Sequence, residues 1–285
     1  MPTRRKRPTA ASTPPAIIRP IDASRLKTYP LQRRHSKVQV SNFAKVWTKG
    51  RSFARFLNSL PDILAVKTLR EVAQAIAKAH RNGRPVIVGM GAHVVKVGLG
   101  PLLVDLMERG IVTALAMNGA VIIHDFELAF MGHTSEEVDA EIDSGRFGMA
   151  EETGRMLNEA ITLGMKEGQG LGESLGSYIH RRKQLFPHRA TSLLATGFRL
   201  GLPVTVHVAV GPEVFLKAVS LGRNLGHPLT NITTVNMDFL THYRPMTNVV
   251  RRPTQKGGKG YALTGHHEIM VPLLAAAVIE ELSGR

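Results

Sequence analysis

Small and polar residues directly follow apolar runs at several places in the sequence. Gly91, Ala92 and His93 follow PVIVGM, Asn118, Gly119 and Ala120 follow IVTALAM, and Asn236, Met237 and Asp238 end ITTVNMD. Small residues let backbone N–H groups approach a phosphate closely, and Asn or Asp side chains can bind ribose hydroxyls. The combination favours a dinucleotide site. A tight turn is the alternative explanation of Gly89 and Gly91, because Val94 occupies the place of the third glycine of the dinucleotide-binding fingerprint.

Histidines and acidic residues supply candidates for proton transfer and substrate binding. His124 and Asp125 could form an oriented acid–base pair or a cap at the start of a helix. His207 lies within an apolar run, either as a ligand or as a core residue. The sequence His266-His267-Glu268 has the residue types of a metal site, but adjacent side chains diverge and the spacing is not HExxH. We therefore predict no metal site.

The elements that must position these residues alternate along the chain. The capping-box pattern from Thr68 to Glu71 predicts a helix that begins there and ends at Gly83. Further helices are predicted at 101–109, 121–131, 135–144, 148–166, 190–200, 213–225 and 268–282. Apolar, β-branched runs at 85–89, 111–117, 203–210 and 232–237 predict buried strands. Residues 251–260 (RRPTQKGGKG) predict a loop.

This alternation predicts an α/β fold with a doubly wound, mostly parallel sheet and helices on both faces. In such sheets ligands bind beyond the carboxyl ends of the strands, which is where the small and polar residues lie. At 285 residues the chain can bury a sizeable core.

Composition and charge narrow the class of protein. The chain has no cysteine, which excludes thiol catalysis and Cys-ligated metal sites and favours a reducing compartment. No apolar run is long enough to cross a bilayer, so we expect a cytoplasmic protein. Of the 37 Lys and Arg residues, 13 lie in the first 51 residues. We expect residues 1–20 to be a disordered basic leader and 21–285 to be one domain. The leader could contact RNA, an acidic membrane or an acidic partner, or could be solvated surface; we expect no membrane binding.

The stretches VIVGMGAHVVKVGLGPLL, VTALAMNGAVIIHDFE, ITTVNMDF and GYALTGHHEIMVPLLAAAV resemble the deoxyhypusine synthase family, especially its bacterial deoxyhypusine synthase-like branch. SNFAKVW at 41–47 is similar to an early segment of that family. The resemblance covers roughly residues 28–282 and implies a Rossmann-like homotetramer with NAD near the subunit interfaces. The implied reaction oxidises spermidine with NAD and moves its aminobutyl group through an enzyme lysine imine to a protein lysine.

Carried over by position, the resemblance places NAD against the small and polar residues after the strands: Gly91, Ala92, His93, Asn118, Gly119, Ala120, Asn236, Met237, Asp238, Gly265 and His266. The family's paired substrate-binding acids fall close to Ile123 and His124. Its nucleophilic lysine falls on Lys259, with Lys256 as a second candidate. We assign binding of a small-molecule amine to His124, Asp125, His207, His267 and Glu268.

Two alternatives remain open. The pattern Asn118-Gly119-Ala120 followed by His124-Asp125 is also similar to NAD-dependent enzymes that act on ornithine or arginine. The second alternative is a non-catalytic scaffold of the same fold that binds nucleic acid through the basic leader.

Overall fold

In a computed structural model, which describes residues 23–141, 143, 145–207 and 211–283, the chain separates into two compact units. The first ends at Gln39, and its described part contains two 3-10 turns, Ala23–Arg25 and Leu31–Arg33. The second begins at Val40. The predicted disordered leader and its boundary with the following domain lie outside the described residues.

Five parallel strands organise the second unit. β1 (Ile87–Met90), β2 (Ala114–Asn118) and β3 (Val204–His207) form one sheet in that order. β4 (Thr233–Asp238) and β5 (Lys259–Thr264) form a second. The predicted α/β class with parallel strands is confirmed, and among the described residues the strands hydrogen-bond as two sheets.

Helices connect and cover the strands. They are α1 (Phe53–Ser59), α2 (Leu64–Arg81), α3 (His93–Lys96), α4 (Gly100–Glu108), α5 (Gly119–Met131), α6 (Val138–Glu141), α7 (Glu151–Lys166), α8 (Leu171–Arg181), α9 (Leu193–Leu200), α10 (Pro212–Asn224), α11 (Tyr243–Pro245) and α12 (His267–Ser283). A 3-10 turn at Val40–Asn42 precedes α1, another at Arg189–Thr191 precedes α9, and a π-helical turn at Met246–Arg251 follows α11. No helix in the described part of the chain is long and apolar enough to cross a membrane.

The predicted start of the first long helix was wrong. Thr68 lies inside α2, which begins at Leu64. The four residues before Thr68 contain neither Gly nor Pro, so nothing stops the helix from extending towards the N-terminus despite the capping pattern. The predicted inward face is confirmed, because Leu69, Val72, Ala73 and Ala77 are buried.

Glycines explain two elements that the sequence pattern did not predict. In α8, a Cβ on Gly172 would lie 2.0 Å from the Val204 carbonyl oxygen, and one on Gly176 would lie 2.4 Å from the Leu194 carbonyl oxygen. In β5, a Cβ on Gly260 would lie 1.9 Å from the Val250 carbonyl oxygen. These glycines allow close backbone packing, whereas in the sequence they look like breaks in a helix or a loop.

The main core lies around the three-stranded sheet. Leu115 and Met117 of β2 are completely buried together with Phe126 of α5 and Phe186. Phe126 and Phe186 meet edge to face with ring centres 5.4 Å apart. A smaller cluster joins Leu263 of β5 to Leu69 and Val72 of α2. This packing fixes the ends of the strands, where the predicted site residues lie.

Candidate functional site

The three strands of the first sheet end at one edge. Asn118 pairs with His207 in the parallel register, and the two residues close β2 and β3. The residue after β1 is Gly91, where a Cβ would lie 3.8 Å from Asn118 Nδ2. The first two predicted cofactor loops are therefore neighbours. His207 is exposed, and its Nε2 lies 2.9 Å from Thr205 Oγ1.

Asn118 joins the end of β2 to the start of α5. Its Oδ1 accepts a hydrogen bond of 3.2 Å from Val121 N and so caps the helix. Its Nδ2 has no hydrogen-bond partner among the described residues and can donate to a ligand. The next residue is Gly119, where an added Cβ would meet no atom within 4 Å. Ala120 is exposed in the first turn of α5, where backbone N–H groups lie outside the helical ladder.

A histidine pair brings the second sheet to the same place. His93, after β1, and His267, after β5, have ring centres 5.5 Å apart. His267 Nε2 lies 3.0 Å from the carbonyl oxygen of Met237 in β4. A carbonyl can only accept, so Nε2 carries a proton, and in the neutral ring Nδ1 is then an acceptor. Nδ1 is buried and has no hydrogen-bond partner within the described part of the chain.

The ends of β4 and β5 are tied together beside this pair. Asp238 pairs with Thr264, and its carbonyl oxygen accepts a hydrogen bond of 3.1 Å from Gly265 N. The Asp238 carboxylate accepts one of 3.3 Å from Leu240 N. Asn236 and Met237 are half-buried within β4. The carboxyl ends of β1, β2, β4 and β5 thus supply four adjacent segments: residues 91–93, 118–120, 236–238 and 264–267. We call this set of segments the strand-end crevice.

The outer side of the crevice is aromatic and polar. The His266 ring stacks on Phe239 with centres 5.6 Å apart and planes 3° from parallel. His266 Nδ1 lies 3.8 Å from Glu268 Oε1. Phe239 and Ile269 expose 51% and 61% of their surfaces. Among the residues described, no three His, Asp or Glu side chains are placed to hold a metal ion.

His124 lies on α5 within a polar network that the sequence pattern did not reveal. Its Nδ1 is 2.7 Å from Thr134 Oγ1 and 3.8 Å from Glu127 Oε2. Thr153 donates to the other carboxylate oxygen of Glu127 at 3.2 Å. Burial lowers the pKa of His124, and the charge of Lys96 acts in the same direction, whereas Glu127 raises it. The i,i+3 spacing of His124 and Glu127 was the available sequence signal.

Asp125 belongs to the fold rather than to the site. Only 2% of it is exposed. Its carboxylate accepts hydrogen bonds from Ser192 Oγ at 2.6 Å, Leu193 N at 2.8 Å and Leu194 N at 3.2 Å. These groups are the N-cap and first turn of α9. The predicted substrate-binding role is therefore replaced by a capping role, because all of its acceptor positions face the interior.

Lys259 lies at the wrong end of its strand for the predicted catalytic role. It is the first residue of β5 and pairs with Thr233 at the start of β4. The crevice lies at the other end, beyond Thr264. Five residues of strand separate the two positions by about 17 Å, which exceeds the reach of a lysine side chain. Lys256 precedes β5 and is also at the amino end.

No protein-family model matches the sequence, and no curated protein matches it. A candidate deoxyhypusine synthase from Entamoeba histolytica has a similar structure, with 13% identity, a TM-score of 0.51 and coverage of 82% of this chain and 95% of that one. The cyanobacterial arginine dihydrolase ArgZ gives 13% identity, a TM-score of 0.48 and coverage of 80% and 33%. AgrE in complex with ornithine and NAD+ gives 16% identity, a TM-score of 0.48 and coverage of 78% and 35%. The chain spans about a third of the length of ArgZ and AgrE. The likeness to the Entamoeba histolytica protein is one of fold.

Proposed function

We propose that this chain is an enzyme that binds NAD in the strand-end crevice and uses it on a small amine. The observation that carries the proposal is the meeting of four strand-end segments from two sheets of parallel strands, which the contact of His93 with His267 brings together. Ligands of open α/β sheets bind beyond the carboxyl ends of the strands, where neighbouring loops diverge.

The residues of the crevice fit a dinucleotide. Gly119 leaves open space at the start of α5, a 13-residue helix whose first N–H groups favour a phosphate. Asn118 Nδ2 is a donor without a partner in the described part of the chain, and the Asp238 carboxylate is half-buried. Both are suited to ribose hydroxyls. In the neutral ring, His267 Nδ1 adds an acceptor, because Nε2 donates to the Met237 carbonyl oxygen.

The proposed reaction begins at the carbon next to the substrate nitrogen. NAD held by Asn118, Gly119 and Asp238 would supply the hydride acceptor for that carbon. The chain must then bind the ammonium group and hold a proton acceptor nearby. Glu268, which follows His267, is the carboxylate proposed for the ammonium group. His124 on α5, whose neutral form is favoured by burial, is the proposed proton acceptor.

Transfer of an aminobutyl-type group from a polyamine such as spermidine is the finer form of this proposal. It needs a lysine that captures the fragment, and within one chain Lys259 lies at the opposite end of β5 from the crevice. Lys96 is the better candidate, because it ends α3 directly after the first loop, is exposed, and has a charge that acts on His124. Assembly as a homotetramer is part of the same proposal; the exposed Phe239 and Ile269 beside the crevice support a subunit contact.

A matched pair of glycine variants tests cofactor binding. Gly119→Ala and Gly154→Ala both add a methyl group that meets no atom within 4 Å. Gly154 lies on α7, outside the crevice. Isothermal titration with NAD should show at least about tenfold weaker binding for Gly119→Ala because the methyl group occupies the phosphate approach. Gly154→Ala should bind as the unaltered chain does. No binding heat at millimolar NAD would remove the proposal.

Substrate profiling separates the proposed activity from the alternative on amino acids. NADH formation with spermidine and not with ornithine or arginine is the expected result. The reverse preference would assign the crevice to amino-acid chemistry. NAD binding without turnover of any of these amines would leave a cofactor-binding scaffold and contradict the enzymatic part of the proposal.

A further inference from the structure

A second candidate site lies between α1 and the extended segment before it. An open cavity of about 380 Å³ is lined by Lys45, Trp47, Arg51, Arg55 and Asn58, among others. We call it the Trp47 pocket. None of these residues belongs to the strand-end crevice, so the pocket needs an explanation of its own.

The pocket is a built feature of the fold. Ser52 caps α1 by accepting from Arg55 N, and Lys45 N donates to the Ser59 carbonyl oxygen at 2.8 Å. The Trp47 ring meets Phe56 edge to face, with ring centres 5.6 Å apart and planes at 90°. Contacts at both ends of the segment therefore hold it alongside α1.

Arg70 of α2 fixes the far end of α1. It forms an ion pair of 3.2 Å with Asp62 and donates to the carbonyl oxygens of Leu57 and Leu60. These bonds reach carbonyl groups at the C-terminal end of the helix, where i→i+4 partners are lacking; the Leu57 oxygen also accepts from Leu60 N at 3.3 Å. Helix α1, which lines the Trp47 pocket, is thus attached to α2 of the second unit.

The charge of the pocket is not neutralised. The side chains of Lys45, Arg51 and Arg55 form no ion pair or hydrogen bond with the residues that the structure describes. Between positions 40 and 61, within the second unit, the sequence contains four Lys and Arg residues and no Asp or Glu. An anion is therefore the ligand that this surface favours.

The exposed ring of Trp47 is a second feature that the ligand of the pocket must match. Trp47 exposes 43% of its surface although its edge packs on Phe56. Aromatic residues alternate with cations through this segment, from Phe43 to Phe56. An exposed indole among arginines offers a stacking surface for a base and donors for the phosphates on either side of it.

We propose that the Trp47 pocket binds a nucleotide unit of single-stranded RNA, with the base stacked on Trp47 and the flanking phosphates bound by Arg51, Arg55 and Lys45. Its volume suits one nucleotide, and three cations without an ion-pair partner among the described residues, Lys45, Arg51 and Arg55, favour a polyanion over a single phosphate. An acidic peptide would satisfy the cations but would leave the indole without a stacking partner. A free nucleotide shares the base and phosphate, and the test separates these sources.

Trp47 makes the test direct because it is the only tryptophan of the chain. The full chain is titrated with a 12-nucleotide adenosine RNA while tryptophan fluorescence is recorded. Saturable quenching is expected. Affinity should fall with salt, and the variant Arg51→Gln/Arg55→Gln should reduce the slope of log K against log salt by about 1.4, since each phosphate contact on a single strand contributes about 0.7. The matched control is Arg84→Gln/Lys217→Gln, which removes two exposed cations outside the pocket and should leave the affinity unchanged beyond its effect on total charge.

Fluorescently labelled RNA measures the contribution of the ring itself. Trp47→Leu should weaken binding on the order of tenfold, which is typical of the loss of one stacked base. Trp47→Phe keeps an aromatic face and should restore most of the affinity, which separates stacking from misfolding. Phe147→Leu removes an exposed aromatic residue elsewhere and should have no effect.

Several results would overturn the proposal. Absence of quenching at micromolar RNA in low salt would exclude the stacking. Equal affinity for adenosine monophosphate would reassign the pocket to a free nucleotide. Competition by polyglutamate with the same affinity, insensitive to Trp47→Leu, would show that charge alone acts. RNA binding that disappears on deleting residues 1–20 and is unaffected by the pocket variants would assign it to the leader.

Discussion

The pH dependence of stability tests the capping role of Asp125. Asp125→Asn replaces a buried carboxylate by a neutral group of the same shape. The amide can still accept from Leu193 N and can donate to Ser192 Oγ. Leu194 N, which bonds to the same oxygen as Ser192, loses its acceptor at every pH, and this loss adds a constant offset between the two proteins. Burial raises the pKa of Asp125 from 3.8 to about 6, and the bonds from Ser192, Leu193 and Leu194 reduce this effect.

The sign and size of the effect follow from that shift. Between the two pKa values the folded state binds more protons than the unfolded state, so the unfolding free energy falls as pH rises. The stability from this group is complete below pH 3.8 and lost once pH passes about 6. A shift of about two pKa units corresponds to about 3 kcal/mol, of which about 2–3 kcal/mol should be lost between roughly pH 4 and 7.5.

Urea denaturation of both proteins across this range provides the measurement. The unfolding free energy of the unaltered chain minus that of Asp125→Asn should fall as pH rises. Asp105→Asn is the control, because Asp105 is 44% exposed and pairs with Arg109 at the surface; it should change stability by less than about 1 kcal/mol. A difference that instead rises with pH would contradict the raised pKa of Asp125. It would mean that the hydrogen bonds at the start of α9 outweigh burial and hold the pKa below its ordinary value.

Three further predictions concern packing, the lysine and the histidine. Gly172→Ala should lower the unfolding free energy by at least about 2 kcal/mol in urea denaturation, because its Cβ would overlap the Val204 carbonyl; an unchanged midpoint would contradict the packing of α8. After borohydride reduction with NAD and spermidine, mass spectrometry should find the adduct in Lys259→Ala and not in Lys96→Ala; the opposite result would restore the role of Lys259. Proton NMR of His124 should give a titration midpoint below 6.5, so that its contribution to stability is lost as pH falls; a midpoint above 6.5 would show that Glu127 outweighs burial and Lys96.

Local patterns in the sequence were sufficient to predict the elements that are bounded by Pro, Gly or polar residues. β1 and β2 lie within apolar runs bounded by Pro, Gly or Asn, and the helix predicted at 190–200 ends as expected at Leu200, before a left-handed Gly201. α8 and β5 were missed because their glycines serve close packing against residues distant in sequence. The local pattern contains no information on those partners.

The sequence was sufficient to predict which strand ends contribute to the site, but not how these ends are arranged in space. Gly91 and Asn118 are neighbours because their strands pair, which the alternation of elements already implied. The contact of His93 with His267 joins residues 174 positions apart and depends on how the two sheets meet. The predicted roles of Asp125 and Lys259 depended on contacts that a local pattern does not contain. Asp125 caps α9, and the register of β5 places Lys259 at the amino end of the strand, opposite the crevice.

A crystal structure of the chain with NAD is the most direct test of the central claim. We expect NAD in the strand-end crevice, with its diphosphate in contact with Gly119 at the start of α5 and Asn118 Nδ2 donating to it or to a ribose. NAD bound elsewhere on the molecule, or a crevice that stays empty at saturating NAD, would contradict the account.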